Sequence, residues 1–483
     1  MTQENESLGK SVLWSAFDKF GGVFIAFLLN LILARFFLTP RDFGLIGMIN
    51  IFISLANTTV IGGFGQAVIQ TKNLTQEDIN TTFTFNFSIS IFLYVILYYS
   101  APWIATFYNT PILKDLVRVL SFILIINSFF IIQNSLLIRN MQFRKLSIIN
   151  NVSLILSSSL AVICACKGLG VWSLIINTLL ASFFQTIILW SITKVKVRIG
   201  FNREAFNKLF SFGGFMYIST LIEVFYSNAL YLILGKGFSP QLLGYYTQAE
   251  KLQSVPVSTV GTVVNQVAFP FFSKLQETKD EVAKAFKTVL SYLSFFSASM
   301  MTCLFTIASP LILFLFTEKW EDSIPILRIL SISGIFLPLN TASTTVIKSL
   351  GKGKLFFNLQ LWKRVGGLIT LIILSLFGFK TLLYGVCSIN IIFYLINIFF
   401  VKKVLEIKYL ELIKIPLNYI LKLSVISGIT IIIQKQIDMP DIILLITSTC
   451  ILGILFVILM ELTKDKQYIS LKNKIIHKDV PNR

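Results

Sequence analysis

The sequence predicts an all-α polytopic membrane protein of about fourteen transmembrane helices: two six-helix lobes in parallel relation, then two further C-terminal helices. Three observations predict this class. Apolar runs of about 20 residues, enough to cross a bilayer as helix, recur from end to end. Lysine and arginine alternate between loops in a way that reports orientation. A turn near residue 40 is also written a second time near residue 240.

Of the 483 residues, 55% are hydrophobic and 13% are charged. A soluble globular chain carries about 25% charge, so this one lacks the polar groups to cover a water-facing surface. Spans are expected to begin near residues 11, 43, 80, 112, 145, 170, 209, 241, 285, 324, 355, 381, 412 and 440. The opening "MTQENESLGK" is polar and acidic, and no small-residue cleavage site follows the first apolar run, so no cleaved signal peptide is expected.

The net charge of +19 raises the question of nucleic acid, and its placement answers it. The two tails and the even-numbered loops hold about 27 Lys and Arg, the odd-numbered loops about 10. The stretch "KVKVRIGFNREAFNK" (194–208) is the clearest basic loop. Both termini are therefore expected in the cytoplasm. The charge reports topology, and no nucleic-acid partner is expected. The five cysteines (Cys164, Cys166, Cys303, Cys387, Cys450) are scattered through apolar segments without metal-ligand spacing, and read as small packing residues. His477, the single histidine, stands in the C-terminal tail and reads as inert.

"LTPRDFG" (38–44) and "FSPQLLG" (238–244) are both helix starts. Thr39 or Ser239 can cap with its hydroxyl, and Pro40 or Pro240 takes the first helical position, where a missing N–H costs nothing. At the same offset of 200, Gly44, Ser54, Thr59, Val60, Gln66, Gln76 and Glu77 recur as Gly244, Ser254, Thr259, Val260, Gln266, Gln276 and Glu277. "APWIATFY" (101–108) with "LVRVLSF" (116–122) is echoed by "SPLILFLF" (309–316) with "ILRILSI" (326–332). "LLIRN" (136–140) then faces "TVIKS" (345–349), so the offset drifts only to about 210. The chain reads as duplicated: residues 1–200 as the N-lobe with spans 1–6, 201–405 as the C-lobe with spans 7–12, and 406–483 as spans 13 and 14 with a tail. An even number of spans per copy gives both copies one orientation, which predicts an axis along the membrane normal. Transporters of this kind bind substrate where the repeats meet.

Charges inside spans are costly and mark function. Asp18 and Lys19 lie in span 1, Glu223 in span 7, Glu250 and Lys251 in span 8, and Lys363 and Arg364 in span 11. For each alone, a structural ion pair or a snorkelling side chain weighs as much as a substrate role. Together the cations of spans 1, 8 and 11 suit an anionic ligand, with Arg364 favoured for its fork geometry. Span 8 adds Pro256 and a stripe of Ser254, Ser258, Thr259, Thr262 and Asn265, read as a bent cavity wall or a helix buried in its own lobe.

These segments resemble the Wzx-type polysaccharide flippases of the MOP exporter superfamily, in the branch associated with colanic acid and similar exopolysaccharides. The matching motifs include "LARFFLTPRDFGLIGM" (33–48), "GFGQAVIQTKNLTQEDINTTF" (63–83), "LLIRNMQFRKL" (136–146), "GLGVWSLI" (168–175), "LLGYYTQAEKLQSVP" (242–256), "VAFPFFSKLQ" (267–276) and "FTEKWEDSIPILRIL" (316–330). They run in order over most of residues 8–350; the last hundred or so match mainly in hydropathy. The resemblance implies two six-helix lobes forming a V around a central cavity, as in MATE-type exporters. It implies a cargo, undecaprenyl-diphosphate-linked oligosaccharide, moved across the bacterial inner membrane by alternating access. It also implies a pathway of polysaccharide polymerase and chain-length machinery as partners. Family cavities are cationic, whereas here Asp18, Glu223 and Glu250 are mixed in. They are read as H+ or Na+ coupling sites or as neighbours that neutralise the lysines, and no other cofactor is expected.

Four alternatives compete. A duplicated scaffold without transport leaves the intramembrane charges unexplained. A cation-coupled multidrug exporter or a lipid II flippase would share the fold. A polysaccharide polymerase or ligase would need a sizeable outer loop with catalytic groups, and the odd-numbered loops are short and hold no nucleophile–base pair or metal cluster. No enzymatic activity is expected.

Overall fold

The computed structural model describes residues 14, 18, 21–193, 195, 197–264, 268–436 and 439–476. Among these residues every regular element is helical, with no strand. In chain order they are α1 (Gly21–Phe37), α2 (Pro40–Gln70), α3 (Gln76–Phe107), α4 (Leu113–Leu120), α5 (Ile123–Arg139), α6 (Phe143–Cys166), α7 (Trp172–Ile192), α8 (Arg203–Gly237) and α9 (Pro240–Val263). There follow α10 (Phe269–Lys274), α11 (Lys279–Thr306), α12 (Ala308–Phe316), α13 (Ser323–Ser349), α14 (Gly353–Ser375), α15 (Phe379–Leu405), α16 (Tyr409–Gln436), α17 (Asp441–Leu462) and α18 (Lys466–Ile476).

Eleven of these rods are long and apolar enough to cross a membrane: α2, α3, the α4–α5 pair, α6, α7, α11 and α13–α17. The other three expected spans coincide with α1, α8 and α9. The last two carry Glu223, Glu250 and Lys251, and the described part of α1 is short.

The helix starts follow from their caps. Thr39 and Asp42 form a capping box before Pro40: the Thr39 N–H and hydroxyl both donate to Asp42 Oδ2, at 2.8 and 2.7 Å. Ser239 Oγ accepts from Leu242 N at 3.2 Å before Pro240. Thr75 and Asp78 repeat the box at α3, and Lys208 pairs with Asp78 at 2.8 Å. Helix starts recur at the offset expected from the sequence. Pro40 and Pro240, Leu113 and Ser323, Phe143 and Gly353, and Trp172 and Phe379 are separated by 200 to 210 residues. Continuity differs between copies. The first runs unbroken through Pro102 to Phe107, whereas the second breaks at Ile307 between α11 and α12.

The chain forms two compact units, the first ending at Gly244 and the second beginning at Tyr245. In the first, α2 packs antiparallel along α8. Asn50 Nδ2 donates to Asn228 Oδ1 at 3.1 Å, and Thr59 Oγ1 lies 3.0 Å from Tyr217 OH. A Cβ on Gly235 would come within 2.9 Å of the Met48 side chain and the Tyr108 ring, so only glycine allows this approach. Packing thus groups α8 with the helices before it, a partition distinct from the repeat boundary expected at residue 200. The basic loop before α8 is laid on α3: Arg198 N, Gly200 N and Asn202 N donate to the Asn80, Thr84 and Thr81 side chains, each at 3.0 Å.

In the second unit the core is shared by α11, α13, α15, α16 and α17, around Phe286, Leu339, Ile398, Leu412 and Tyr394. Several buried polar groups there are paired, which lowers the cost of holding them in a bilayer. Tyr394 OH donates to Leu412 O at 2.8 Å, and Thr306 and Ser427 hydroxyls meet at 2.7 Å. α9 continues past Pro256, and its Ser254, Ser258 and Thr259 hydroxyls donate to backbone carbonyls of the preceding turn. All five cysteines are free. His477 and Asn265 lie outside the described residues.

Candidate functional site

A charged side chain in an apolar helix must find polar company. Lys19 lies outside the described residues. Asp18 is half-buried against α6, where Asn150 Nδ2 reaches its two oxygens at 3.3 and 3.2 Å and Asn151 Nδ2 lies 3.4 Å from Oδ1. A Cβ on Gly21, one turn on, would sit 2.8 Å from Asn151 Oδ1, so glycine brings α1 close to this amide pair. The Asp18 carboxylate is held by neutral amides. Glu223 is exposed on α8.

On the second unit, Glu250 is half-buried and accepts from Tyr246 OH at 3.4 Å, while Lys251 beside it is exposed. Lys363 and Arg364 diverge, as adjacent helix positions must. Arg364 is half-buried, whereas Lys363 is only 7% exposed and turns into the interior of its unit. Its ammonium donates to Asn397 Oδ1 at 2.8 Å. Asn397 Nδ2 donates to Asn340 Oδ1 at 2.7 Å, Asn340 Nδ2 to Asn390 O at 3.1 Å, and Asn390 Nδ2 to Ser333 Oγ at 2.7 Å. The Phe393 ring lies 5.4 Å from the ammonium. This chain joins α14, α15 and α13 through amides, and among the described residues no carboxylate reaches the cation. Lys363 also lines a cavity of about 610 Å³ between α14 and α15, otherwise walled by groups such as Leu359, Trp362, Gly366, Ile392 and Phe393. A cation with one neutral acceptor and an apolar cavity beside it has capacity for an anion.

A second feature was missed at the level of sequence. On the first unit a cavity of about 370 Å³ lies along α2 and α5. Its polar lining is neutral: Asn57, Thr58, Gln66, Asn134, Ser135 and Thr220. Asn127 Nδ2 donates to Asn57 Oδ1 at 2.8 Å and orients it. A Cβ on Gly65 would lie 3.2 Å from Ser135 Oγ, so glycine keeps the two helices close here. The signal was present in α2, where Asn50, Ser54, Asn57 and Thr58 recur at helical spacing within an apolar run. Amides and hydroxyls without charge suit a ligand rich in hydroxyl groups.

Arg139, at the end of α5, fixes the far end of α2. Its guanidinium donates to Val68 O at 2.8 Å, to Lys72 O at 2.9 Å, and to Thr71 O. These are carbonyls that the helix end leaves without partners, and a planar fork is the group that can collect several of them.

Residues 32–325 match the polysaccharide biosynthesis protein family. The chain is 28% identical over 297 residues to the teichuronic acid biosynthesis protein TuaB of Bacillus subtilis (strain 168), covering 61% of this chain and 62% of that protein. It is 26% identical over 361 residues to the succinoglycan biosynthesis transport protein ExoT of Rhizobium meliloti (strain 1021), covering 74% and 72%. Among solved structures, the lipid II flippase MurJ in an inward closed conformation superposes with a TM-score of 0.75 at 17% identity, covering 94% of this chain and 98% of that one. That likeness is one of fold.

Proposed function

Because the chain belongs to the polysaccharide biosynthesis protein family, we propose that it is a flippase for undecaprenyl-diphosphate-linked oligosaccharide repeat units. It would move them across the bacterial cytoplasmic membrane for exopolysaccharide, O-antigen or capsule assembly. The names of TuaB and ExoT support a role in polysaccharide biosynthesis and, for ExoT, in transport. Neither a diphosphate nor a sugar chain crosses about 30 Å of hydrocarbon unaided, so the task is to provide both with polar partners inside the membrane.

The observation that carries this reading is Lys363. A bare cation at the bilayer centre costs about 2.5–3.5 kcal/mol even on the mild insertion scale. Here it is retained beside a cavity with only an amide as acceptor. An anionic headgroup is the ligand that repays this cost. Arg364 and Lys251, with Lys19, complete the proposed diphosphate-holding set. The neutral cavity of Asn57, Gln66, Asn134 and Ser135 would take sugar hydroxyls. Asp18, Glu223 and Glu250 are proposed H+ or Na+ coupling sites; the amide-held Asp18 favours this over a role as a lysine's counter-charge.

On this reading transport proceeds by alternating access, with copies 1–200 and 201–405 as the moving parts and 406–483 appended. Both termini are cytoplasmic, no covalent step is involved, and the polymerase and chain-length machinery act downstream. Deleting the gene should abolish the polysaccharide while oligosaccharide-loaded undecaprenyl diphosphate accumulates on the cytoplasmic face. Restoring the wild-type gene should clear it. Accumulation on the outer face would identify a polymerase defect instead, and normal polysaccharide would exclude the role altogether.

A further inference from the structure

The turn between α17 and α18 borders a second charged cavity, open to the outside and separate from every residue assigned to the site above. It has a volume of about 700 Å³ and lies between the first turns of α16 and residues 463–467. Lys414, Lys422, Lys464 and Lys466 line it, with Tyr419 and Asp465. α17 has 22 residues and is therefore about 33 Å long, close to the hydrocarbon thickness. The turn that follows is thus placed at headgroup level.

The acidic groups nearby are already committed. Asp465, 5% exposed, caps α18 by accepting from Gln467 N and Tyr468 N at 3.1 and 3.3 Å. Its other oxygen takes Lys422 Nζ at 3.3 Å, and Tyr419 OH lies 3.3 Å from Oδ1. Glu461 is paired with Lys472. Lys414, Lys464 and Lys466 are exposed and, among the described residues, have no side-chain partner. Lys464 stands at φ 47°, a left-handed position where glycine or asparagine is the usual occupant. The rim is apolar: Leu417, Leu421 and Leu462 are 45%, 58% and 76% exposed. Three free ammonium groups at headgroup level beside an exposed leucine wall match a molecule with a phosphate at one end and hydrocarbon at the other.

We propose that this pocket binds an anionic bilayer phospholipid, its phosphate among Lys414, Lys464 and Lys466 and its chains along Leu417, Leu421 and Leu462. Lysines near an anionic surface contribute about 1 kcal/mol each, and about 1.4 kcal/mol is tenfold. Replacing all three should therefore weaken binding about a hundredfold.

The test uses the purified full chain in neutral detergent, with thermal unfolding and native mass spectrometry followed as phosphatidylglycerol is added. Phosphatidylcholine and inorganic phosphate serve as the other two arms. Wild type should retain and be stabilised by phosphatidylglycerol but not by the other two. Lys414→Gln/Lys464→Gln/Lys466→Gln should lose the response about a hundredfold. Lys352→Gln/Lys354→Gln/Lys402→Gln, which removes exposed charge elsewhere on the unit, should keep it. Lys464→Gly, which relieves the left-handed backbone, should fold at least as well as wild type and bind about fivefold more weakly. Equal loss in both triple variants would reduce the effect to general surface charge and overturn the site. Equal stabilisation by inorganic phosphate would overturn the lipid assignment.

Discussion

Gly44 and Gly244 meet through each other's helix start. A Cβ on Gly44 would lie 1.7 Å from the carbonyl oxygen of Pro240, and a Cβ on Gly244 would lie 1.7 Å from that of Pro40. The contact is reciprocal, so the turn written twice in the sequence is one surface used against its own copy. It explains why both glycines stand four residues after their prolines, a spacing that capping alone does not require.

Either glycine replaced by alanine must push the two helix starts apart, because the obstructing atoms are backbone and cannot rotate away. Overpacking of this kind costs about 1–3 kcal/mol. Gly44→Ala and Gly244→Ala should each lower the unfolding temperature in detergent. Since both act on one contact, the double variant should cost clearly less than the sum of the two. Additive losses would mean that the reciprocal contact does not form.

Arg139 gives a second stability test. Charge-assisted hydrogen bonds contribute about 1.5–3 kcal/mol, and Arg139→Gln should lose an amount in that range. The measured sign would be earlier proteolysis after residue 70, where α2 gives way to its loop. Arg139→Lys should rescue little, since a point charge cannot reach Val68 O and Lys72 O together as the fork does. Full rescue by lysine would show that charge, not geometry, holds the α2 end.

The contrast between these two sites marks what was legible in the sequence. The helix starts at Pro40 and Pro240 could be read because Thr-Pro and Ser-Pro carry their own capping chemistry. Arg139 could be seen as a motif but not as a brace, because its acceptors are backbone carbonyls, which every residue has. Lys363 was legible as a charge at unusual depth. Its amide chain through Asn397, Asn340 and Asn390 was not, because the partners come from three helices, α14, α13 and α15, far apart in the sequence. The cavity of Asn57 and Asn134 was missed for the same reason: its lining is divided between α2 and α5, with Thr220 from α8.

Topology supplies the third prediction. α8 spans Arg203–Gly237, about 52 Å of helix at 1.5 Å per residue. Residues 200 and 238 therefore stand at opposite ends of a rod longer than the hydrocarbon core. With the basic loop inside, a reporter fused after residue 200 should read cytoplasmic and one fused after residue 238 periplasmic. The reverse pair of signals would invert the whole orientation, and like signals from both fusions would remove α8 from the set of spans.

The last prediction separates the two adjacent cations of α14. Fork geometry favours Arg364 for a diphosphate, yet burial shifts the weight to Lys363, which is held at the cavity by Asn397 while Arg364 is only half-buried. Lys363→Met keeps the length of the stem and removes the charge. Replacing a buried charge by a hydrophobe of similar volume is often neutral or stabilising, so the variant should insert and accumulate at wild-type levels. Export should nevertheless fall by at least tenfold, measured as polysaccharide yield and as lipid-linked precursor left on the cytoplasmic face. Arg364→Ala should also reduce export at normal protein levels, by a smaller factor. If Lys363→Met exports normally, the ammonium only braces α14 against α15 and the diphosphate is held elsewhere. If instead the protein fails to accumulate, the companion variant Asn397→Leu decides the matter. It leaves the cation in place but removes its acceptor, and it should depress abundance equally if the Lys363–Asn397 bond is purely structural.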